Sequence, residues 1–346
     1  MLKMKAVAYS VKPFERELLA TANQKKHDIT LISNALSIDT LNFAEGKDAV
    51  IVTPNDDVSN AVIEKLAGLG IKYIAARSTG TDHIDNIIAK KYGIKISNVP
   101  FYSPQAAAEH VIALAFALNR HVVQADWNSH HFDFRNDELI GFNFSGKTVG
   151  LIGLGNTGQA VAKIFNGMGC KVIGYDPVSP KVASYILPAS LKYLLNSADV
   201  ISLHLPLTPS TKHFIQKDTL EQMKTGVMLI NTSRGAIINT SDVLSALVSG
   251  KIGYLGLDVY EYEKGLFFED HRDDVVKDQL LVSLMEHPNV LITPHQAYLT
   301  KDALQEIANQ TIKNLDQWQM NKCLADICVC GDGCKTHDLA VKKKIS

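Results

Sequence analysis

Two sets of residues have the types and spacing to do chemistry. The first is Gly153-x-Gly155-x-x-Gly158, entered from an apolar run at 149–152. A helix-patterned stretch and a second apolar run at 172–175 follow, ending on Asp176. Strand, glycine turn, helix, strand and acid in this register form the context of a dinucleotide site, not a lone glycine pattern. Gly153 permits the tight turn, Gly155 lets backbone approach a pyrophosphate, and Gly158 lets the helix sit close on the strand. The helix N-terminus then faces the phosphates. Asp176, eighteen residues after Gly158, is placed to hold ribose hydroxyls. A carboxylate there repels a 2′-phosphate, and Pro177-Val178 supplies no arginine to bind one, so NAD is expected over NADP.

The second set follows from where ligands bind in an open parallel sheet, outside the carboxyl ends of the strands. Arg234 follows the predicted strand 227–231, Glu261 and Glu263 follow 254–259, and His295 follows 290–293. Arginine grips a carboxylate with two prongs and polarises the adjacent carbonyl. Histidine titrates near neutrality and suits proton transfer, and a carboxylate beside it favours the charged form. Together they would reduce a 2-oxo acid. Singly, each also fits a solvated loop, and pattern alone leaves Glu261 and Glu263 as equal alternatives. His204 ends the strand 200–205 and reads as lining the cofactor site. Asn156 and Thr157 in the glycine loop, and Pro206, Thr232, Ser233 and Asp258 near strand ends, are assigned to the same surroundings.

The elements that must position these groups alternate. Short apolar runs at 6–9, 49–53, 73–76 and 94–99 read as strands, with a helix at 58–69 between them. The alternation resumes after Asp176, with a helix at 241–249 and a last one at about 301–320. This pattern predicts parallel sheets covered on both faces, an α/β fold of doubly wound domains. The length of 346 residues favours two domains. The stretch from Ser103 to Asn119 reads as a helix with Ser103 as N-cap and Pro104 at its first position. It is apolar on nearly all sides, which predicts burial between domains or subunits. Glu109 and His110 interrupt it and read as a satisfied buried pair.

Composition excludes several functions. With 46% hydrophobic residues, 21% charged residues and a net charge of -1, the chain is ordinary globular protein without a basic surface for nucleic acid. No apolar run reaches membrane-spanning length. The opening MLKMKAVAYS enters a strand directly, with no signal-peptide pattern, so a cytoplasmic location is expected. Five cysteines make no disulfide framework at this size, and Cys170 reads as inert packing. His130 and His131 lack partners at zinc spacing and read as a solvated loop. No nucleophile elbow, Walker loop or CxxC pair is present.

At these residues the chain resembles the D-isomer-specific 2-hydroxyacid dehydrogenase family. GLGNTG with YDP, INTSRGAIIN, LGLDVYEYE and VLITPHQAYLT carry the resemblance over about residues 4 to 320. The stretch VYEYEKGLFFEDHRDDVVKD is similar to the long acidic insert of the fermentative D-lactate dehydrogenases of bacteria. The resemblance implies that Arg234, Glu263 and His295 are catalytic, choosing Glu263 over Glu261. It implies that the amides of Thr79 and Gly80 bind the substrate carboxylate and that Tyr102 and Tyr298 wall a small pocket. It implies a flavodoxin-like substrate domain, 1–102 with 297–346, and a Rossmann NAD-binding domain, 103–296, with the active site in the cleft and a homodimer or homotetramer as the assembly. The expected reaction is reversible reduction of pyruvate to D-lactate by NADH. The alternatives are a larger D-2-hydroxy acid as substrate, or a non-enzymatic NAD-sensing protein on the same fold. Phosphoglycerate is disfavoured because no added regulatory domain is seen. The tail departs from the family: Cys323, Cys328, Cys330, Cys334 and His337 could serve a soft metal or redox sensing but lack the usual zinc-ribbon spacing, so a disordered, reduced tail is expected.

Overall fold

The computed structural model describes residues 3–178, 181–275, 277–320, 322 and 328–329. The chain forms two compact units, crossing from the first to the second after Ser103 and returning before Thr300.

The first unit is β1 (Lys5–Ala8), α1 (Pro13–Asn23), β2 (Asp28–Leu31), β3 (Ala49–Val52), α2 (Asn60–Gly68), β4 (Tyr73–Ala76), α3 (Asn86–Lys91) and β5 (Lys95–Ser97), closed by the C-terminal helix Lys301–Gln319. Its sheet is parallel in the order β2-β1-β3-β4-β5, the flavodoxin-like arrangement. All four residues of β3 are buried, as a strand covered on both faces requires. Val50, Val52 and Ile74 meet Ile63 and Leu66 on one face. Ala49, Ile51 and Ala75 meet Ile312, Leu315 and Trp318 of the C-terminal helix on the other. Trp318 stacks on Tyr73 with ring centroids 4.6 Å apart. β2 escaped the sequence reading because it is an edge strand, alternately exposed and half-buried, with no continuous apolar run. From the cysteine tail, Val329 N–H donates to the Ile96 carbonyl at 3.0 Å. Cys323, Cys330, Cys334 and His337 lie outside the described residues.

The second unit begins with α4 (Pro104–Asn119) and α5 (Val122–His130), then β6 (Thr148–Ile152), α6 (Asn156–Gly167), β7 (Lys171–Tyr175), β8 (Ile186–Pro188), α7 (Leu191–Ser197) and β9 (Val200–Leu203). It continues through α8 (Lys217–Glu221), β10 (Val227–Asn231), α9 (Thr240–Val248), β11 (Ile252–Leu257), α10 (Gln279–Glu286) and β12 (Val290–Ile292). Seven parallel strands run in the order β12-β11-β10-β9-β6-β7-β8. The strand order reverses between β6 and β9, and ligands of doubly wound sheets bind at such a switch point. β10 and β9 are buried throughout.

Ser103 lies in the left-handed region, φ 75°, rather than in the extended backbone expected of an N-cap. α4 packs only one face on the core, through Ala108, Val111, Leu114, Ala115 and Leu118. Its other face is exposed at Glu109, Ala113 and Phe116, so the expected burial of Glu109 is corrected. His130 and His131 are exposed and turn Nδ1 back onto the Asp126 and Trp127 carbonyls of their own helix. Among the described residues no cluster of three or more metal-ligating side chains occurs. Cys170 is buried, with its thiol facing the Phe144 carbonyl at 3.2 Å and pushed up in pKa by burial. No described helix is long and apolar enough to cross a membrane.

Candidate active site

The glycine loop joins β6 to α6. Gly153 has φ 96°, and an added Cβ would overlap the His204 carbonyl; at Gly158 it would overlap the Gly153 carbonyl. Both positions therefore exclude any side chain. Gly155 ends the turn at the N-terminus of α6, where no side chain caps the helix. The first-turn amides are left to a ligand, and the helix dipole favours an anion. The Asp176 carboxylate is fixed beside the loop, accepting from Leu154 N–H at 2.8 Å and Val178 N–H at 2.9 Å. A carboxylate has about four acceptor positions, so capacity remains for ribose hydroxyls. After β9 and β10, His204 Nε2 and Thr232 Oγ1 are buried and have no hydrogen-bond partner. Burial pushes the His204 imidazole down to about 4, so the ring is neutral at physiological pH. Open amides, a fixed acid and two unpaired polar atoms at a switch point fit a dinucleotide. Pro206 is exposed, and its carbonyl accepts from Thr211 Oγ1 at 2.6 Å. Ser233 donates to Asn231 Oδ1 through both N–H (3.0 Å) and Oγ (2.8 Å), which shapes the turn after β10.

Arg234 follows that turn. Asn231 Nδ2 donates to its carbonyl at 2.8 Å, and its own Nη1 donates to the Ser233 carbonyl at 2.8 Å. A Cβ on Gly235 would collide with the Tyr260 carbonyl and the Glu261 amide. The arginine loop thus rests directly, backbone on backbone, on the loop that carries both glutamates.

The structure separates those glutamates. The Glu261 side chain is 6% exposed and fully engaged. It pairs with His213 Nε2 through one oxygen and accepts from Thr240 N–H (3.0 Å) and Thr240 Oγ1 (2.8 Å) through the other. Burial pushes its carboxyl up, but the Thr240 and His213 hydrogen bonds outweigh burial and hold it below the usual range. Glu263 Oε1 lies 3.0 Å from His295 Nδ1, and its other oxygen accepts from Tyr260 N–H at 3.1 Å. Phe267 N–H and Leu266 N–H close a turn onto the Glu263 carbonyl. The next residue, Phe268, at φ 70°, brings its ring 5.8 Å from the His295 ring.

His295 is itself left-handed, φ 53°, an uncommon conformation for a residue with a side chain. It is held there by Asp258, which is completely buried. The Asp258 carbonyl accepts from His295 N–H at 2.8 Å. Its carboxylate accepts from Thr293 Oγ1 (2.6 Å), Gln296 N–H (2.8 Å) and Ala297 N–H (2.8 Å). The Asp258 side chain therefore serves the histidine loop. The expected Glu109–His110 pair does not form; His110 faces Thr293 and Asp258 instead.

In the first unit, the loop after β4 carries Thr79 and Gly80. Ser78 Oγ donates to the Gly80 carbonyl (2.7 Å), Asn98 Nδ2 to the Thr79 carbonyl (2.7 Å) and Thr79 Oγ1 to the Val99 carbonyl (2.9 Å). Buried Arg77 anchors the loop through Glu15 and the Tyr9 carbonyl. With both carbonyls held, the orientation of the Thr79–Gly80 peptide is fixed. Tyr102 belongs to the first unit and Tyr298 to the second, and both are half-buried. Sequence reading missed His213 and Phe268. A histidine in a polar loop and a phenylalanine in an acidic insert carry no periodic signal.

The roles of the two glutamates differ measurably. Glu261→Gln is expected to destabilise the protein by about 1–3 kcal/mol at neutral pH, the scale of a lost buried charge-assisted bond. Because the folded carboxyl is held low, its contribution is present above the ordinary carboxylate range and is lost as pH falls through the folded value. The stability gap between wild type and Glu261→Gln should therefore shrink on acidification. A gap unchanged from neutral pH to about pH 3 would refute the clamp.

Comparison with known proteins agrees with this geometry. The sequence model described as "D-isomer specific 2-hydroxyacid dehydrogenase, NAD binding domain" matches residues 112–297. The D-lactate dehydrogenase of Escherichia coli is 41% identical over 316 residues, covering 90% of this chain and 96% of the relative. An aromatic 2-oxoacid reductase of Clostridium sporogenes is 36% identical, covering 94% of this chain and 100% of the relative. The solved structure of the pyruvate reductase of Chlamydomonas reinhardtii superimposes with a TM-score of 0.86 at 38% identity, covering 93% of this chain and 98% of that one. With an NAD-binding fold at its switch point and a match across both units, the chain belongs to the D-isomer-specific 2-hydroxyacid dehydrogenase family and uses NAD as its cofactor.

Proposed function

We propose that this chain is a D-lactate dehydrogenase reducing pyruvate with NADH, and that Arg234, Glu263 and His295 are its catalytic residues. The observation that carries the reading is the His295 Nδ1–Glu263 Oε1 contact of 3.0 Å. With Nδ1 committed to the carboxylate, Nε2 is the nitrogen left to face substrate. A histidine oriented by a third group and aimed at the reacting oxygen has the geometry of a general acid–base pair. When bound, NADH supplies the hydride that reduces the keto carbon.

The chain's own residues supply the rest. Arg234 takes the substrate carboxylate with two prongs and polarises the neighbouring carbonyl. In the first unit, the amides of Thr79 and Gly80 are proposed to bind a substrate carboxylate. His295 Nε2 donates its proton to the forming alkoxide, and Glu263 keeps the imidazolium oriented and paired. One hydride and one proton convert pyruvate to lactate. The cofactor would be held by the α6 amides at Asn156, Thr157 and Gly158, by Asp176 at the ribose, and by His204, Thr232, Ser233 and Pro206 along the strand ends. Asp258 acts through the histidine loop. Dependence on soluble NADH supports a cytoplasmic site of action.

The aromatic 2-oxoacid reductase among the relatives favours a second reading, in which a larger 2-oxo acid is the substrate. Initial rates of NADH oxidation with pyruvate, 2-oxoisocaproate and phenylpyruvate, with chiral analysis of the product, decide between them. Highest kcat/KM on pyruvate with D-lactate as product is the expected result. A preference for phenylpyruvate would overturn the lactate assignment. In the same assay His295→Ala should lower kcat by about two to four decades, the scale of general acid catalysis. Unchanged turnover would remove His295 from the mechanism.

The exposed apolar stretch supports a homo-oligomer. Phe116, Val122, Val123, Trp127, Phe132, Phe134 and Ile140 are all exposed on α4, α5 and the loop beyond. The base of this arm is fixed by Asn119, whose side chain bonds both N–H and C=O of Phe142 at 2.8 Å. Two copies of such a patch are self-complementary about a two-fold axis. Light scattering should give at least a dimer for wild type and a smaller particle for Trp127→Glu. A monomeric wild type would refute the assignment.

A further inference from the structure

His110 interrupts an otherwise apolar helix and has no part in the reaction outlined above. Its surroundings give it one. His110 Nε2 lies 2.9 Å from Thr293 Oγ1 and 3.3 Å from Asp258 Oδ1. Thr293 has a single hydroxyl proton, and it is committed to Asp258 Oδ1 at 2.6 Å. Thr293 Oγ1 can then only accept from His110, so the imidazole must carry its proton on Nε2. The protons run in one direction, from His110 to Thr293 to the Asp258 carboxylate. That carboxylate also holds the amides of Gln296 and Ala297, and the Asp258 carbonyl holds the amide of His295. Every residue from Thr293 to Ala297, Pro294 apart, therefore hangs on one buried aspartate, His295 through its backbone carbonyl and the others through its carboxylate. His110 is the donor that reaches it from a different element, α4.

We propose that His110 is a positioning residue for proton transfer, fixing the His295 loop through Thr293 and Asp258. The proposal rests on His295 being the proton donor. The loop holds His295 at φ 53°, a backbone conformation that a free loop would leave. Without the His110 proton, the Thr293 hydroxyl gains freedom to turn away from Asp258. The buried carboxylate then loses a donor, which is costly in an enclosed site. The imidazole shifts relative to the substrate oxygen, and small misplacements of a reacting group cost orders of magnitude in rate.

The test is a double-mutant cycle on the full-length protein, with His110→Ala, Thr293→Val and the double variant, and with His110→Gln as the conservative replacement. Steady-state kcat and KM are measured with pyruvate and NADH, and NADH Kd by fluorescence. His110→Ala is expected to lower kcat about tenfold or more while NADH Kd stays within about twofold. His110→Gln, which keeps an N–H near Thr293, should recover part of the loss. On the Thr293→Val background, His110→Ala should add no further loss, because the two act in series. Additive losses in the cycle, or a His110→Ala enzyme with wild-type kcat, would overturn the proposal. If His110→Ala fails to fold, the Thr293→Val and His110→Gln arms still decide it, since equal and unchanged kcat in both would refute the chain. A wild type inactive on every 2-oxo acid would instead sink the reading of the site itself.

Discussion

One buried carboxylate organises the segment that carries His295 in the second unit. Asp258 is completely enclosed, and a charge in that position is tolerated only while donors surround it. Three are supplied by the segment that follows β12, one hydroxyl and two backbone amides, and a fourth neighbour, the His110 imidazole, comes from α4. The carboxylate needs those donors, and in satisfying it the segment is forced into one shape. His295 is held in the left-handed region by that shape, not by its own preference. A polar group that is expensive to bury is thereby used to specify a conformation.

The same logic governs the glutamates. Glu261 and Glu263 are two residues apart and chemically identical, yet one is consumed by structure and the other is left for the histidine. Glu261 ties the N-terminus of α9 to His213, and Gly235 lets the arginine loop lie against the Glu261 backbone. The clamp holds the segment still, so that Glu263 meets His295 at hydrogen-bond distance. A rigid support of this kind suits the proposed catalytic pair, because proton transfer tolerates little misplacement.

Much of this was legible in the residues. The strands at 73–76 and 227–231 coincide with β4 and β10, because continuous Ile, Val, Leu and Ala between turns have no other stable use in a two-sided sheet. The glycine spacing located the switch point, because Gly153 and Gly158 sit where a side chain would strike backbone. The short strands β2 and β8 were missed: each lies at a sheet edge, where exposure removes the apolar signature. The different surroundings of Glu261 and Glu263 were not available from pattern, since Glu261 is engaged by His213 and Thr240, both remote in sequence. His110 was seen as an interruption, but its partner was misjudged. A helix-neighbour reading favours Glu109, whereas the tertiary fold delivers Asp258.

The first unit is assembled from two separated pieces of chain, one ending at Ser103 and one starting at Thr300. During synthesis, five strands and three helices of that unit emerge early, but the helix bearing Ile312, Leu315 and Trp318 is translated after the whole second unit. Until then Ala49, Ile51 and Ala75 present an apolar sheet face that only α1 covers in part, through Leu19. The inserted unit can complete its own core first, since all of its strands precede Leu299. The core of the first unit can therefore close only after the whole chain has been made, and its apolar face stays partly open until the last helix arrives.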